Sequence, residues 1–261
     1  MSPCLGGMQV LITRPADQAE KLCQLIEQAG GHALRFPTLA IEAAAVDSNK
    51  LQQTLQSDWL IFTSTNAVDF AVKAFSGKMA GLQGLNIAAV GQSTAKALSE
   101  AGLNVECVPE LVFSSEGLLA EPVMQQVAGL TFTIVRGVGG REKIAQTLLE
   151  RGAQRVDYLE VYRRSRPEID NSQLLDKLRR GRLNAVSITS GEALQNLLLM
   201  IDAVSASSLK KLPLIVVSDR IKELAQQLGF EQVLVSLQPT DAAILQTLTT
   251  LSNGENSGRS N

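Results

Sequence analysis

The chain has 261 residues, of which 45% are apolar, enough for one large hydrophobic core or for two of ordinary domain size. A formal net charge of −2 excludes a summed positive field that would hold nucleic acid without a local site. One histidine and three widely spaced cysteines argue against a structural zinc site, a disulfide framework and any chemistry that needs several histidines. No stretch approaches the roughly 18 consecutive apolar residues of a membrane span, and the amino-terminal segment lacks the regions of a secretory signal. We therefore expect a cytoplasmic protein with no nucleic-acid partner, no metal and no membrane association.

The predicted elements, taken in chain order, begin with a series that recurs. Residues 9–14 form an apolar strand, and an amphipathic helix follows it as far as Gly30. Residues 131–136 start the same series, which ends at Gly152. The arginine that closes the strand and the glycine that ends the helix are equally far apart in both series. Equal spacing of matching residue types indicates an internal duplication of the chain.

Two further pairs of segments repeat in the same way. Residues 58–64 and 185–190 are apolar strands that end in Thr-Ser before a helix, and residues 86–91 and 214–218 form the third pair. Apolar strands that alternate with amphipathic helices predict α/β domains, each with a doubly wound parallel sheet covered on both faces. The Gly-, Ser- and Asn-rich residues 252–261 are predicted to be a disordered tail.

The carboxyl ends of these strands carry the candidate ligand-binding residues. Ligands of doubly wound sheets bind at that edge, where helix N-termini present unpaired N–H groups. The hydroxyl and glycine residues that the repeat places there are Thr63, Ser64, Gly91, Ser93, Thr94, Thr189, Ser190 and Ser218. The Thr-Ser pairs also fit simple helix N-caps, worth about 1 kcal/mol each, and that interpretation is compatible with anion binding.

Arg14 and Arg136 stand at matching positions just after a strand. A positive charge near a helix N-terminus is unfavourable, so its recurrence in both copies predicts a ligand carboxylate; the alternative is a solvated arginine. Gly137 opens a glycine-rich segment, residues 137–140, whose backbone amides would suit an anion. The segment lacks the third glycine of a dinucleotide-binding fingerprint, because Glu142 stands at that position.

Several short motifs, in their order and spacing, resemble the uroporphyrinogen-III synthase family. They are Val10-Leu-Ile-Thr-Arg-Pro15, Phe36-Pro37, Ile61-Phe-Thr-Ser64 with Ala67-Val68, Ala89-Val-Gly-Gln-Ser-Thr-Ala95 and Leu159-Glu-Val-Tyr162. The resemblance extends from Gln9 to Leu248, nearly the whole chain. One departure concerns Ser218, which is followed by Asp219 where the first copy has the turn of residues 91–95. Because Asp219 would repel a carboxylate, the resemblance does not extend to substrate binding by this turn unless Ser218 or Arg220 compensates.

The resemblance implies two doubly wound α/β domains joined by a two-stranded β linker. The first domain would be discontinuous, with residues 1–36 and 167–261, and the second would comprise residues 37–166. The linker strands would then be residues 36–41 and 158–166. Without the resemblance, a sequential division near residue 128 fits the duplication equally well.

The resemblance also implies a cyclising hydro-lyase of porphyrin and heme biosynthesis that needs no cofactor. Its substrate would be hydroxymethylbilane, a linear tetrapyrrole with eight carboxylates, received from hydroxymethylbilane synthase and closed with loss of water and inversion of ring D. Tyr162 matches the family's tyrosine proposed to assist departure of the hydroxyl as a proton donor, and a bound water is the alternative donor. The strand-end residues would bind carboxylates in a cleft between the domains. We expect a monomer. The alternative is a two-domain α/β protein that binds a small anion or a nucleotide.

Overall fold

The computed structural model describes residues 4–76 and 79–257, in which strands and helices alternate along most of the chain. In chain order the elements are β1 (Gln9–Ile12), α1 (Ala16–Gln28), β2 (His32–Arg35), β3 (Ala40–Ala43), α2 (Ser48–Thr54), β4 (Trp59–Phe62), α3 (Thr65–Ala74), a 3₁₀ turn (Met79–Leu82), β5 (Asn86–Ala89), α4 (Gln92–Glu100), α5 (Ser115–Ala120), a 3₁₀ turn (Pro122–Met124), β6 (Thr131–Gly137), α6 (Lys143–Glu150), β7 (Arg155–Ser165), α7 (Ser172–Arg179), β8 (Ala185–Ile188), α8 (Gly191–Leu199), α9 (Ala203–Lys210), β9 (Leu214–Val216), α10 (Asp219–Gln227), β10 (Val233–Val235) and α11 (Asp241–Ser257).

The chain divides into two compact units. Unit 1 contains the residues up to Ala40 and from Ser165 onward, and unit 2 is Ile41–Arg164. The boundaries that the resemblance implies, after residues 36 and 166, lie a few residues from these positions. Unit 1 is therefore built from two separate stretches of the chain, whereas unit 2 is continuous.

Each unit contains a parallel sheet covered on both faces, which confirms the predicted α/β fold. Within the described residues, unit 1 has a five-stranded sheet of order β2-β1-β8-β9-β10, and unit 2 has one of order β5-β4-β6-β7-β3. All four strand pairs of unit 1 are parallel, as are the pairs β4–β5, β4–β6 and β6–β7 of unit 2. This is the doubly wound arrangement, in which β1 and the equivalent β6 each lie between two other strands.

The two sheets contain the same series of four strands, and each sheet takes part of its series from each copy of the duplication. The series is β2-β1-β8-β9 in unit 1 and β7-β6-β4-β5 in unit 2, so each unit combines one half of the first copy with the complementary half of the second. The register agrees as well, because Val10 pairs with Ala185 where Phe132 pairs with the equivalent Trp59. The strand pairing therefore confirms the duplication. A sequential division of the chain near residue 128 is wrong.

The central strands are continuous apolar runs because both faces of each sheet are covered. In unit 1, Leu11 packs into one hydrophobic cluster, and Val10 and Ile12 pack into a second cluster on the opposite face. In unit 2, Phe62 and Ile61 are separated in the same way. Alternate side chains of a strand point to opposite faces, so a sheet covered on both faces has no polar row.

The segment that leaves unit 1 differs from the predicted linker strand of residues 36–41. Of residues 36–41, only Ala40 and Ile41 belong to β3, which lies beside β7 in the sheet of unit 2. Phe36 and Leu39 are buried, and the Thr38 hydroxyl donates to the carbonyls of Thr13 and Ala193. This segment is thus held by the core of unit 1, and Pro37 could not donate to a strand ladder.

The predicted disordered tail is wrong for residues 252–257. These residues belong to α11, whose Ile244, Leu245 and Leu248 are buried against the cluster that contains α1. Adding residues to a helix that packing already holds costs little, so the weak helix propensity of Ser and Asn is overridden. Residues 258–261 lie outside the described residues. Across the described part of the chain, every helix is too short or too polar to cross a bilayer.

Candidate active site

The carboxyl edge of the sheet in unit 2 contains a cavity of about 490 Å³, which we call the strand-end cavity. Here β4 and β6 end and α3 and α6 begin, so backbone turns and helix N-termini surround the space. Its wall includes Thr63, Ser64, Phe113, Gly137, Arg141 and Tyr162. The structure therefore brings together the predicted residues Thr63, Ser64, Arg136, Gly137 and Tyr162, all of which line this cavity.

Tyr162 is 5% exposed and places its hydroxyl 3.3 Å from the Oγ of Ser64. Its ring stacks on Phe70 with 5.8 Å between centroids. The ring also lies against Gly137, where an added Cβ would stand only 2.6 Å from ring atoms. A side chain at the end of β6 would therefore displace the ring, and packing against Phe70 and Gly137 holds the phenol in place.

Ser64 connects this tyrosine to a helix N-terminus. It is the N-cap of α3, and its Oγ accepts a hydrogen bond from the Ala67 N–H at 3.1 Å. Thr63 turns its hydroxyl to the Val135 carbonyl at 3.2 Å. The N-cap interpretation of the first Thr-Ser pair is thus confirmed for Ser64, whose Oγ also contacts the tyrosine hydroxyl.

The turn after β5 contributes less to the cavity than the sequence predicted. Gly91 is the N-cap of α4, Ser93 is exposed in the first turn of that helix, and Thr94 is buried. In the described lining, the residue from this turn is Val90. Substrate binding by Gly91, Ser93 and Thr94 stays a prediction.

Arg136 is buried in a network of protein groups. Nη1 donates to the carbonyls of Gly140 at 3.0 Å and Arg141 at 3.3 Å, and Nη2 donates to Glu142 at 3.2 Å and Glu160 at 3.1 Å. The Arg136 guanidinium also lies 3.5 Å above the ring of Tyr158. The arginine is therefore not the solvated residue of the alternative interpretation, since its charge is paired inside the protein.

Tyr158, which lies under this guanidinium, belongs to the same network of hydrogen bonds. The Tyr158 hydroxyl donates to Glu142, and burial together with that bond raises the pKa of Tyr158 to about 12. The same bond from Tyr158, followed by hydrogen bonding from Arg136, lowers the pKa of the Glu142 carboxyl. Tyr158 and Glu142 therefore stay protonated and ionised, respectively, across the neutral range.

The glycine-rich segment of residues 137–140 is not an open anion site. The Gly139 N–H donates to the Glu160 carboxylate at 3.3 Å, and the Val138 N–H donates to the Tyr162 carbonyl at 2.8 Å. Gly139 has φ of +73°, which a residue with a side chain rarely adopts. A carboxylate of the protein therefore occupies part of the position that a ligand phosphate would take.

The corresponding edge of unit 1 presents a similar set of residues. Ser190 is the N-cap of α8 and its Oγ accepts from the Ala193 N–H at 3.1 Å, whereas Ser218 caps α10 without a side-chain bond. Arg14 forms an ion pair with Asp241 at 2.5 Å, with both side chains largely buried. Thr189 is half-buried at the same strand end. Substrate binding by these residues of unit 1 stays a prediction.

Sequence reasoning missed the wall contributed by residues 113–115 and the apolar side chain of Val138. Phe113 and Val138 are each 55% exposed although apolar. The sequence held one signal, a Ser114 followed three residues later by Gly117, since that serine caps α5 through the Gly117 N–H. Gly117 also lets the Val112 carbonyl approach, because a Cβ there would stand 1.7 Å from that oxygen.

Comparisons with known proteins identify relatives of this chain. The family model of uroporphyrinogen-III synthase HemD matches residues 20–246. The uroporphyrinogen-III synthase of Escherichia coli strain K12 is 31% identical over 246 residues, which cover 92% of this chain and all of that protein.

Solved structures share the fold. A crystal structure of a mutant uroporphyrinogen III synthase from the extremely thermophilic bacterium Thermus thermophilus superposes with a TM-score of 0.62 at 20% identity, covering 95% of this chain and 100% of that one. The uroporphyrinogen-III synthetase of Helicobacter pylori 26695 gives 0.63 at 15% identity, covering 94% and 99%. At these identities the two structures support the α/β architecture alone.

Proposed function

Because this chain belongs to the uroporphyrinogen-III synthase family, we propose that it closes hydroxymethylbilane into uroporphyrinogen III, with loss of water and inversion of the last pyrrole ring. The family match over residues 20–246 carries the proposal and favours it over an anion- or nucleotide-binding protein. Family membership makes the chain a cyclising lyase. That it works without a cofactor is part of the proposal.

The strand-end cavity supports this reaction through the kinds of surface it offers. A linear tetrapyrrole needs apolar surface for its rings and hydrogen-bond donors for its eight carboxylates. Phe113 and Val138 are exposed apolar side chains beside the cavity, and Ser64 with the N-terminus of α3 supplies a hydroxyl and backbone N–H groups. Charged and polar donors of this kind bind carboxylates without a large net positive charge on the protein.

Tyr162 is our proposed proton donor to the leaving hydroxyl. In the reaction the phenol O–H bond breaks, the proton passes to the hydroxyl of the bilane, and water leaves with the electron pair of its C–O bond. The Ser64 hydroxyl, 3.3 Å away, then donates to the phenolate oxygen while its Oγ keeps the Ala67 N–H. A positioned acid of this type accelerates a reaction by about 10²–10⁴.

Loss of water leaves an azafulvene, which the substituted carbon of the terminal ring attacks to form a spiro intermediate. The intermediate fragments and closes again with ring D inverted, and the proton released on closure returns to Tyr162. Because the bilane closes without an enzyme to the uninverted isomer, the protein must hold the chain folded for this attack before the uncatalysed reaction occurs. Most of the rate advantage therefore comes from positioning the substrate.

Three further parts of the proposal concern the surroundings of the enzyme. We propose that hydroxymethylbilane synthase supplies the substrate, since the bilane is too reactive to accumulate. We also propose that the chain acts as a monomer in the cytoplasm. Within the described residues no group of three or more His, Cys, Asp or Glu side chains is arranged to bind a metal ion.

The function is tested by supplying the purified protein with freshly generated hydroxymethylbilane and separating the oxidised porphyrins by chromatography. We expect isomer III to form faster than the spontaneous closure gives isomer I. Isomer I alone, at the rate without enzyme, would show that the proposed function is wrong. A parallel reaction with a chelator present tests the absence of a metal requirement, for which the rate should not change.

A further inference from the structure

Among the described residues, three arginines line the strand-end cavity, and two of them, Arg136 and Arg141, differ in how far the protein already uses their side-chain donors. Arg136 is 6% exposed, and both of its terminal nitrogens already donate to the protein. Two of those acceptors, Glu142 and Glu160, are carboxylates, so the charge of one arginine faces two negative charges. A substrate carboxylate brought to Arg136 would meet repulsion from both.

The hydrogen bonds of Arg136 hold a loop instead. Its Nη1 bonds the carbonyls of Gly140 and Arg141, and a Cβ at Gly140 would stand 3.1 Å from the Arg136 side chain. Glu160 accepts from the Gly139 N–H as well as from Arg136. Residues 137–142 are thus wrapped around one guanidinium and fixed at three points.

This loop in turn fixes groups that face the cavity. Gly137 packs on the ring of Tyr162, and the Val138 N–H donates to the Tyr162 carbonyl. Arg141 is exposed, lines the cavity, and forms no ion pair within 4.0 Å among residues 4–76 and 79–257. An exposed arginine that lines a cavity and whose own carbonyl is held by Arg136 is well suited to bind a carboxylate in a bidentate manner.

We infer that Arg141, and not Arg136, binds a carboxylate of the substrate in unit 2, while Arg136 is a positioning residue that holds the loop of residues 137–142 against Tyr162. The inference rests on the proposed function and names the group that recognises the substrate's side chains at this cavity. An exposed arginine in a cavity that is also lined by the apolar Phe113 and Val138 is compatible with the aromatic polycarboxylate that the proposed function names.

The test compares three variants in the hydroxymethylbilane assay. For Arg141→Gln we expect KM to rise about tenfold or more with kcat nearly unchanged, because a charge-assisted hydrogen bond to bound substrate is lost. The matched control is Lys143→Gln, which removes the same charge two residues away at the start of α6, outside the described cavity lining. We expect its KM to stay within about twofold of the wild-type value.

For Arg136→Lys we expect a lower kcat and a lower melting temperature, with any rise in KM smaller than in Arg141→Gln, because lysine keeps the charge but cannot bond both loop carbonyls and both carboxylates, while the Arg141 side chain is still present. An unchanged KM in Arg141→Gln, an equal rise in Lys143→Gln, or a rise in KM alone in Arg136→Lys would overturn the inference. If the wild-type chain forms isomer III while one of these results appears, only the inference fails. If the wild-type chain forms no isomer III, the proposed function fails as well.

Discussion

At the scale of single residues, the two tyrosines of the chain have separate roles. Tyr158 lies under the Arg136 guanidinium and donates to Glu142, so its hydroxyl is committed to the network that holds the loop. Tyr162 has its hydroxyl at the strand-end cavity, with Ser64 as its neighbour. The same residue type, four positions apart on β7, thus supports the structure at one position and lines the strand-end cavity at the other.

Replacing Tyr162 with Phe removes the hydroxyl and keeps the ring against Phe70 and Gly137. We expect kcat to fall by about 10²-fold or more, with KM nearly unchanged, because only the proton donor is lost. Steady-state kinetics on hydroxymethylbilane measures both constants, and thermal unfolding serves as the control for folding. Unchanged turnover would remove Tyr162 from the proposed chemistry.

At the scale of elements, the duplication supplies two helix N-termini with the same cap. Ser64 begins α3 and Ser190 begins α8, and each Oγ accepts the backbone N–H three residues later at 3.1 Å. The sequence Thr-Ser at the end of a strand therefore specifies the same local structure in both units. What differs is the neighbour of the cap, since of these two serines it is Ser64 that stands beside a tyrosine hydroxyl.

Ser64→Ala and Ser190→Ala form a matched pair. We expect each substitution to lower the free energy of unfolding by about 1 kcal/mol, because each removes one N-cap hydrogen bond. Only Ser64→Ala should also lower kcat, since it removes the group that stabilises the Tyr162 phenolate; any effect of Ser190→Ala should appear in KM. Denaturant unfolding and kinetics check this, and equal kcat values for the two variants would contradict it.

At the scale of the whole molecule, the repeat copies exchange halves. β1 pairs with β8 of the second copy, and β4 pairs with β6, so neither copy forms the complete four-strand series from its own strands. Ile41–Arg164 nevertheless contains every strand of its own sheet and both hydrophobic clusters that cover it. We therefore expect the continuous unit to fold by itself and a single copy of the repeat not to.

Two fragments of nearly equal length test this exchange. We expect residues 41–164 to unfold cooperatively when expressed alone, because the fragment retains all of its strand pairs and its core. Residues 1–128 should not, because β1 lacks β8 and β4 lacks β6. Circular dichroism during thermal unfolding distinguishes the two. Cooperative unfolding of residues 1–128 would show instead that β1 can pair with β4 inside one copy.

For the site, the sequence located the strand-end residues but not their partners. Ser64 and Tyr162 are identified from a repeat and from a resemblance, and they lie 3.3 Å apart. Arg14 and Arg136 are predicted to bind a ligand carboxylate. In the structure Arg14 pairs with Asp241, and Arg136 pairs with Glu142 and Glu160. No spacing rule connects Arg14 to Asp241, because the two residues meet only after β1 and α11 have packed together.

The repeated strands and helices, the duplication, the parallel α/β architecture and the edge at which we expect ligands to bind could all be predicted from the amino-acid sequence, because they follow from local periodicity and from recurring spacings along the chain. Long-range packing was needed to show which copy completes which sheet, which carboxylates neutralise the arginines, and that residues 252–257 continue a helix. Strand partners could not be predicted because the duplication makes the strands of the two copies alike. Local sequence patterns therefore do not distinguish a partner in the same copy from a partner in the other copy.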